Sequence, residues 1–155
     1  MKPIRIFAFA GAVLLAALPQ PGPASEYTAV MATIHQFVDA FNRGDAKAEA
    51  AACDAQAAII DDFAPHEWQG PTACADWAAA YAADAQKDGA TDGVVTLGRP
   101  WYSSVTGNRA YVVLPATFSW KERGKPVTES GSIFTVVLRK SSAGWRITGW
   151  AWSKH

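Results

Sequence analysis

The sequence predicts an α+β fold, with three N-terminal helices packed on one face of a mainly antiparallel sheet. Two observations carry this. Over residues 27–41 and 74–85, apolar side chains recur at every third or fourth position, the spacing of one buried helix face. After Gly93 the repeat changes to alternation and stays so to the end of the chain, as half-buried strands require. The chain has 155 residues, half of them apolar, enough for one domain with a real core, taken as residues 26–155.

Residues 1–24 read as a signal peptide. Lys2 and Arg5 precede an apolar run from Ile6 to Leu18, and Pro19 to Ala24 break it with small residues at Gly22 and Ala24, where a signal peptidase needs them. The alternative is an uncleaved anchor, but the run is shorter than the roughly 20 residues of a spanning helix. Cleavage is expected near Ala24-Ser25, giving a periplasmic or secreted protein with no membrane attachment. Basic and acidic residues balance at 14 each, and removing Lys2 and Arg5 leaves the mature chain slightly acidic. That argues against a nucleic-acid partner, which calls for a basic patch.

The first helix carries Tyr27, Val30, Met31, Ile34, Phe37, Val38 and Phe41 on one stripe, with His35 off it on the surface. Asn42-Arg43-Gly44 stops it, and Asp45 is placed to cap a short alanine-rich helix from Ala46 to Cys53. Asp54-Ala55-Gln56 breaks that helix and Ala57 to Phe63 follows as a strand. Because strand side chains alternate, Asp61 and Asp62 are expected on opposite faces, so only one enters a given cavity. A proline turn adds His66 and Glu67, and Gly70-Pro71-Thr72 opens the third helix. Its stripe is Cys74, Trp77, Ala78, Tyr81 and Ala85, and Lys87-Asp88-Gly89 ends it.

Cys53 and Cys74 are the two cysteines. In an exported protein they favour a disulfide, which would pin both ends of the Ala57–Pro71 segment. Two buried free thiols are the alternative.

The strands run from Val94 to Val105, bent at Gly98-Arg99-Pro100, then Arg109 to Lys121, Val127 to Lys140, and Trp145 to Lys154. On the second of these, Ala110, Val112, Leu114, Ala116, Phe118 and Trp120 share a face, while Pro115 on the other suggests a bulge or edge. On the last, Trp145 and Ile147 fall on one side and Trp150 and Trp152 on the other. Apolar groups on both faces suggest that one side covers the core and the other meets a second subunit in a homodimer.

Three local patterns resemble the nuclear-transport-factor-2-like superfamily, in particular its SnoaL-like and DUF4440-type bacterial members. They are Phe37 to Asp45 (the family's F..A.N.GD), Trp68-Gln69-Gly70-Pro71 before an aromatic-bearing helix, and Gly144-Trp145-Arg146-Ile147 opening the last strand. The resemblance implies a cystatin-like cone in which a curved sheet and helices enclose one pocket, often in a homodimer. It also implies a general-base role for Asp61, counted back from Gly70 as in the ketosteroid isomerases. The tyrosine that stabilises the oxyanion in those enzymes falls on Phe37, which donates no hydrogen bond, and the largest catalytic contribution is then missing. Dehydratase-type members combine histidines, an aspartate and tyrosines, for which His66, Asp61 and Tyr102 are the candidates here.

The expected ligand pocket comprises Phe37, Asp61, Trp77, Tyr102 and Thr117. No spaced histidine pair accompanies Asp61, Asp62, His66 and Glu67, so neither a metal nor a cofactor is expected. The expectation for function is an exported SnoaL-like domain that binds a small apolar or aromatic molecule or acts as an accessory, without a complete catalytic set. The alternative is an acid/base lyase, isomerase or hydrolase acting through Asp61 and His66.

Overall fold

A computed structural model describes residues 22–154. The expected leader lies outside the described residues apart from its last three, and Pro23 and Ala24 open the first helix. The helices are α1 (Pro23–Asn42), α2 (Ala46–Ala51) and α3 (Ala73–Asp88). The strands are β1 (Cys53–Ile60), β2 (Glu67–Gly70), β3 (Ala90–Leu97), β4 (Tyr102–Thr106), β5 (Arg109–Glu122), β6 (Lys125–Ser141) and β7 (Gly144–Ser153). They form one sheet in the order β2-β1-β7-β6-β5-β3, with β4 also paired to β5. The β1–β7 pair is parallel and the other pairs are antiparallel.

The helices form where their stripes can be buried. Val30, Ile34, Phe37 and Val38 of α1 join Cys74 and Trp77 of α3 in one core with the inner residues of the sheet. Asp45 caps α2 by accepting from the Ala48 N–H, and Gly89 ends α3 in the left-handed region, as expected. Asn42, at the end of α1, has a structural task. Its side chain donates to the Val95 carbonyl (2.9 Å) and accepts from the Val95 N–H (2.7 Å), supplying ladder bonds to the edge strand β3. An Asn42→Ala variant is expected to lose about 1–3 kcal/mol in urea unfolding, since both main-chain groups lose their partner.

Several boundaries differ from the sequence expectation. The short helix stops at Ala51 and β1 begins at Cys53, so Asp54, Ala55 and Gln56 lie within the strand rather than in a break. Asp54 is held there by the Arg139 Nη2, which donates to both of its carboxylate oxygens (2.7 and 2.8 Å). The strand ends at Ile60, before Asp61, because the chain turns back to pair β2 with β1, a strand the sequence reading did not include. The expected strand from Val94 to Val105 is two strands, β3 and β4, both on the same edge of β5. Pro115 faces the gap between them, where its missing N–H is no loss. Gly98 crosses that gap with its N–H on the Pro115 carbonyl (2.8 Å), and a Cβ there would stand 2.8 Å from the Pro115 ring.

Two bulges set which side chains face inward. In β6, Gly131 is the extra residue, at φ 84°, between the pairs Ala116–Ser132 and Thr117–Ser130. In β7, Thr148 is the extra residue between the pairs Val137–Gly149 and Leu138–Ile147. A bulge reverses the alternation beyond it. Trp145, Ile147 and Trp150 are consequently all buried, and Trp152 packs against the same core. The second tryptophan face expected to meet another subunit does not exist; the exposed apolar residues of the outer sheet face include Tyr102, Tyr111 and Val137.

Cys53 and Cys74 form a disulfide joining the start of β1 to the first turn of α3, with a sequence separation of 21. It brackets the β1–β2 hairpin as expected, although Cys53 belongs to the strand and not to a helix end. Replacing both cysteines by serine is expected to lower stability by about 3 kcal/mol, from the loop the bond closes in the unfolded chain. Urea unfolding of the variant beside unreduced wild type checks this.

Candidate functional site

The interior between helices and sheet is a cavity of about 230 Å³. Residues one helical turn apart share a face, so α1 lays Phe37 and Phe41 along its wall and α3 lays Trp77 and Tyr81. The sheet supplies Phe118 and Trp120 from β5, Phe134 from β6, and Trp150 and Trp152 from β7. Phe63, from the β1–β2 loop, completes ten aromatic rings among the described lining residues. They touch in series. Trp77 meets Trp150 edge-on at 4.8 Å between centroids, stacks on Tyr81 at 5.8 Å, and Phe118 stacks on Trp120 at 4.9 Å.

Asp61 is the polar group set deepest in this wall, at 8 % exposure. Its carboxylate accepts from the Trp77 indole N–H (2.8 Å) and from the Asp62 main-chain N–H (2.8 Å). Burial pushes its pKa up to about 7 against those two donors, so the charged and neutral forms are both within reach near neutral pH. Asp62 also lines the cavity. The expectation that only one of the two does so fails because β1 has ended at Ile60, and strand alternation no longer governs them.

His66 does not join the Asp61 carboxylate. It is exposed, at φ 75°, and its Nδ1 lies 3.2 Å from the main-chain oxygen of Asp61. Its ring thus tightens the β1–β2 loop, outside the cavity lining. Tyr102 and Thr117, expected in the pocket, belong to the outer face. Tyr102 packs on Tyr111 at 6.0 Å, and the unbroken alternation of β5 turns Thr117 outward, opposite Ser130, and Phe118 into the cavity. Phe37, Trp77 and Asp61 do line the cavity.

The sequence reading missed the sheet's contribution. Sequence alone places Phe118 and Trp120 on one strand face and Trp150 and Trp152 on a subunit face, and it singles out none of Phe134, Glu129 and Lys154. At the mouth, Glu129 accepts from the Trp152 indole (3.0 Å) and the Ser132 hydroxyl (2.5 Å). Lys154 pairs with both Asp62 and Glu129. Asp84 and Asp88 of α3 and Glu122 of β5 complete the rim. The one available signal was the i, i+4 spacing of Asp84 and Asp88, in register with Trp77 and Tyr81.

Two donors bear on what the cavity can do chemically. The Trp150 indole N–H is buried without a hydrogen-bond partner among the described residues, on a ring 5.9 Å from Phe37. The Tyr81 hydroxyl lies against Gly93, where a Cβ would come within 2.6 Å of it. Among the described residues, no three His, Cys, Asp or Glu side chains converge as metal ligands. No described helix is long and apolar enough to cross a membrane.

No protein-family model matches the sequence, and no curated protein matches it. Solved structures do match in shape. An NTF2-like protein with a cystatin-like fold from Novosphingobium aromaticivorans superposes with a TM-score of 0.69 at 18 % identity, covering 84 % of this chain and 82 % of that one. A nuclear transport factor 2-like superfamily protein from Salmonella enterica serovar Typhimurium gives 0.72 at 15 % identity, covering 86 % and 93 %. A ketosteroid isomerase-like protein from Erwinia carotovora atroseptica gives 0.66 at 18 % identity, covering 83 % and 95 %. The cone of helices on a curved, mostly antiparallel sheet that encloses this cavity is the NTF2-like, cystatin-like fold.

Proposed function

We propose that this chain is an exported, SnoaL-like ligand-binding domain whose aromatic cavity takes a small, largely apolar molecule without turning it over. The observation that carries this is the cavity's composition: ten rings around one buried carboxylate whose oxygens already accept from Trp77 and Asp62. Such a surface gains from desolvating a ring-bearing ligand and offers few polar groups to orient it. His66, the expected partner in proton transfer, points elsewhere. The apolar run before residue 19 and the disulfide support export to the periplasm or beyond. Pairing of two copies through the outer sheet face, where Tyr102, Tyr111 and Val137 are exposed, belongs to the same proposal. A sedimentation measurement that gives a monomer removes it.

A second reading has one observation in its favour. Asp61, with a pKa pushed to about 7, is tuned as a general base or acid is tuned, and the unpaired Trp150 N–H is a donor where Phe37 has none. This is the acid/base lyase, isomerase or hydrolase. Asp61→Asn separates the two. In a binding domain it is expected to change ligand affinity by less than about fivefold, as the loss of one partnered hydrogen-bonding group. In an enzyme it lowers turnover by about 10²–10⁴-fold, the usual contribution of a positioned acid or base. Tryptophan-fluorescence titration and a turnover assay on the same compounds give the two readouts.

A further inference from the structure

The cavity has a polarity of its own. Its interior is aromatic, while its rim holds Asp62, Asp84, Asp88, Glu122 and Glu129 against a single basic lining residue among the described residues, Lys154. The end of α3 and the end of β5 are held together by the Arg123 N–H on the Gly89 carbonyl (2.8 Å), which brings Asp88 and Glu122 to one side of the mouth. Lys87, Lys121 and Arg123 lie near that side but do not line the cavity, and Lys121 is engaged by Asp92 at 2.9 Å. No ion pair within 4.0 Å is made by Asp84, Asp88 or Glu122 among the described residues.

A second feature shows what this mouth holds. The Lys154 ammonium sits between Asp62 and Glu129, 3.2 Å from the latter. Trp152, whose indole bonds the same Glu129, forms the wall beneath. One cationic nitrogen at the edge of an aromatic cage, balanced by two carboxylates, is thus already built into the fold. It belongs to a half-exposed side chain just after β7.

We infer that the cavity selects a hydrophobic organic cation. Its apolar body lies among the rings and its ammonium group lies at the mouth between Asp62 and Glu129, in the place of the Lys154 nitrogen. Aromatic faces attract a cation, and a rim of one sign concentrates the opposite charge. The cavity is smaller than the roughly 300–1,000 Å³ of drug-sized sites, which limits the body to one or two rings. This rests on reading the cavity as a small-molecule site.

The test uses benzyltrimethylammonium and its neutral carbon isostere neopentylbenzene, titrated by tryptophan fluorescence into wild type and Lys154→Met. The ammonium probe is expected to bind wild type at least about tenfold tighter than the isostere, a difference within cation–π and ion-pair magnitudes. Removing Lys154 is expected to tighten the ammonium probe about fivefold or more, since it vacates the cation position, and to move the isostere less than twofold. The preference shrinks toward unity at about 1 M salt. Equal or tighter binding of the isostere in both proteins overturns the inference while the binding reading stands. Saturable binding of neither probe to either protein overturns both. Loss of ammonium affinity in Lys154→Met, with an unchanged melting curve, also overturns the inference, because it makes Lys154 a support rather than an occupant.

Discussion

Trp77→Ala is expected to lower stability by about 4 kcal/mol, the range for emptying a large aromatic from a packed core. Trp77 is 5 % exposed and touches Phe37, Phe41, Phe63, Tyr81 and Trp150, so it joins α1, α3, the β1–β2 loop and β7 at one point. Its indole N–H also bonds the Asp61 carboxylate. Truncation therefore leaves a void and removes a donor from a buried acid. The two effects separate in Trp77→Phe, which keeps most of the volume and loses only the donor. That variant is expected to cost about 1–2 kcal/mol at pH 6, with a deficit that widens as pH rises through 7, because an undonated Asp61 is harder to ionise. Urea unfolding followed by far-UV circular dichroism reads both. A loss under about 1.5 kcal/mol in Trp77→Ala would show that the aromatic cluster does not organise the core.

How much of this was legible follows from what each pattern encodes. The order of helices and long strands was readable because a stripe at helical spacing and an alternation survive without tertiary information. Cys53 and Cys74 as a bonded pair were readable for a related reason, since two cysteines behind an expected signal peptide leave few choices. The facing of residues beyond a bulge was not. One extra residue, Thr148, puts Trp150 on the same side as Trp145, and strict alternation assigns it to the opposite side. Gly131 likewise decides that Glu129 turns inward opposite Phe118, whereas Thr117 turns out by the plain alternation of β5. Asp61 was found through its distance from Gly70. Its neighbour's place in the same cavity was not, because the end of β1 depends on pairing with β2, a strand of four residues with no clear periodicity.

Glu49→Gln is expected to be stabilising, increasingly so as pH rises. Glu49 is 3 % exposed on α2, which packs against α1 and α3, and its Oε1 has no hydrogen-bond partner among the described residues. Burial alone pushes its pKa up to about 8 from the ordinary 4.5. The folded protein therefore keeps a proton that the unfolded chain releases above pH 4.5. This contribution to stability is whole below that value and drains at about 1.4 kcal/mol per pH unit until the folded group ionises near pH 8. By pH 7 the loss is about 3 kcal/mol. Asp61, raised to about 7, drains in the same direction but levels off earlier. Because Asp61 is common to both proteins, the difference between them isolates Glu49: wild type is expected to lose stability faster than Glu49→Gln as pH rises from 5 to 8. Near pH 4.5 the two proteins are expected to agree within about 1 kcal/mol, since both side chains are then neutral and differ only in how the amide fits. Urea midpoints at pH 4.5, 7 and 8 measure the slope directly. A wild-type profile that is flat from pH 5 to 8 would mean that the Glu49 carboxyl reaches water that the folded geometry denies it.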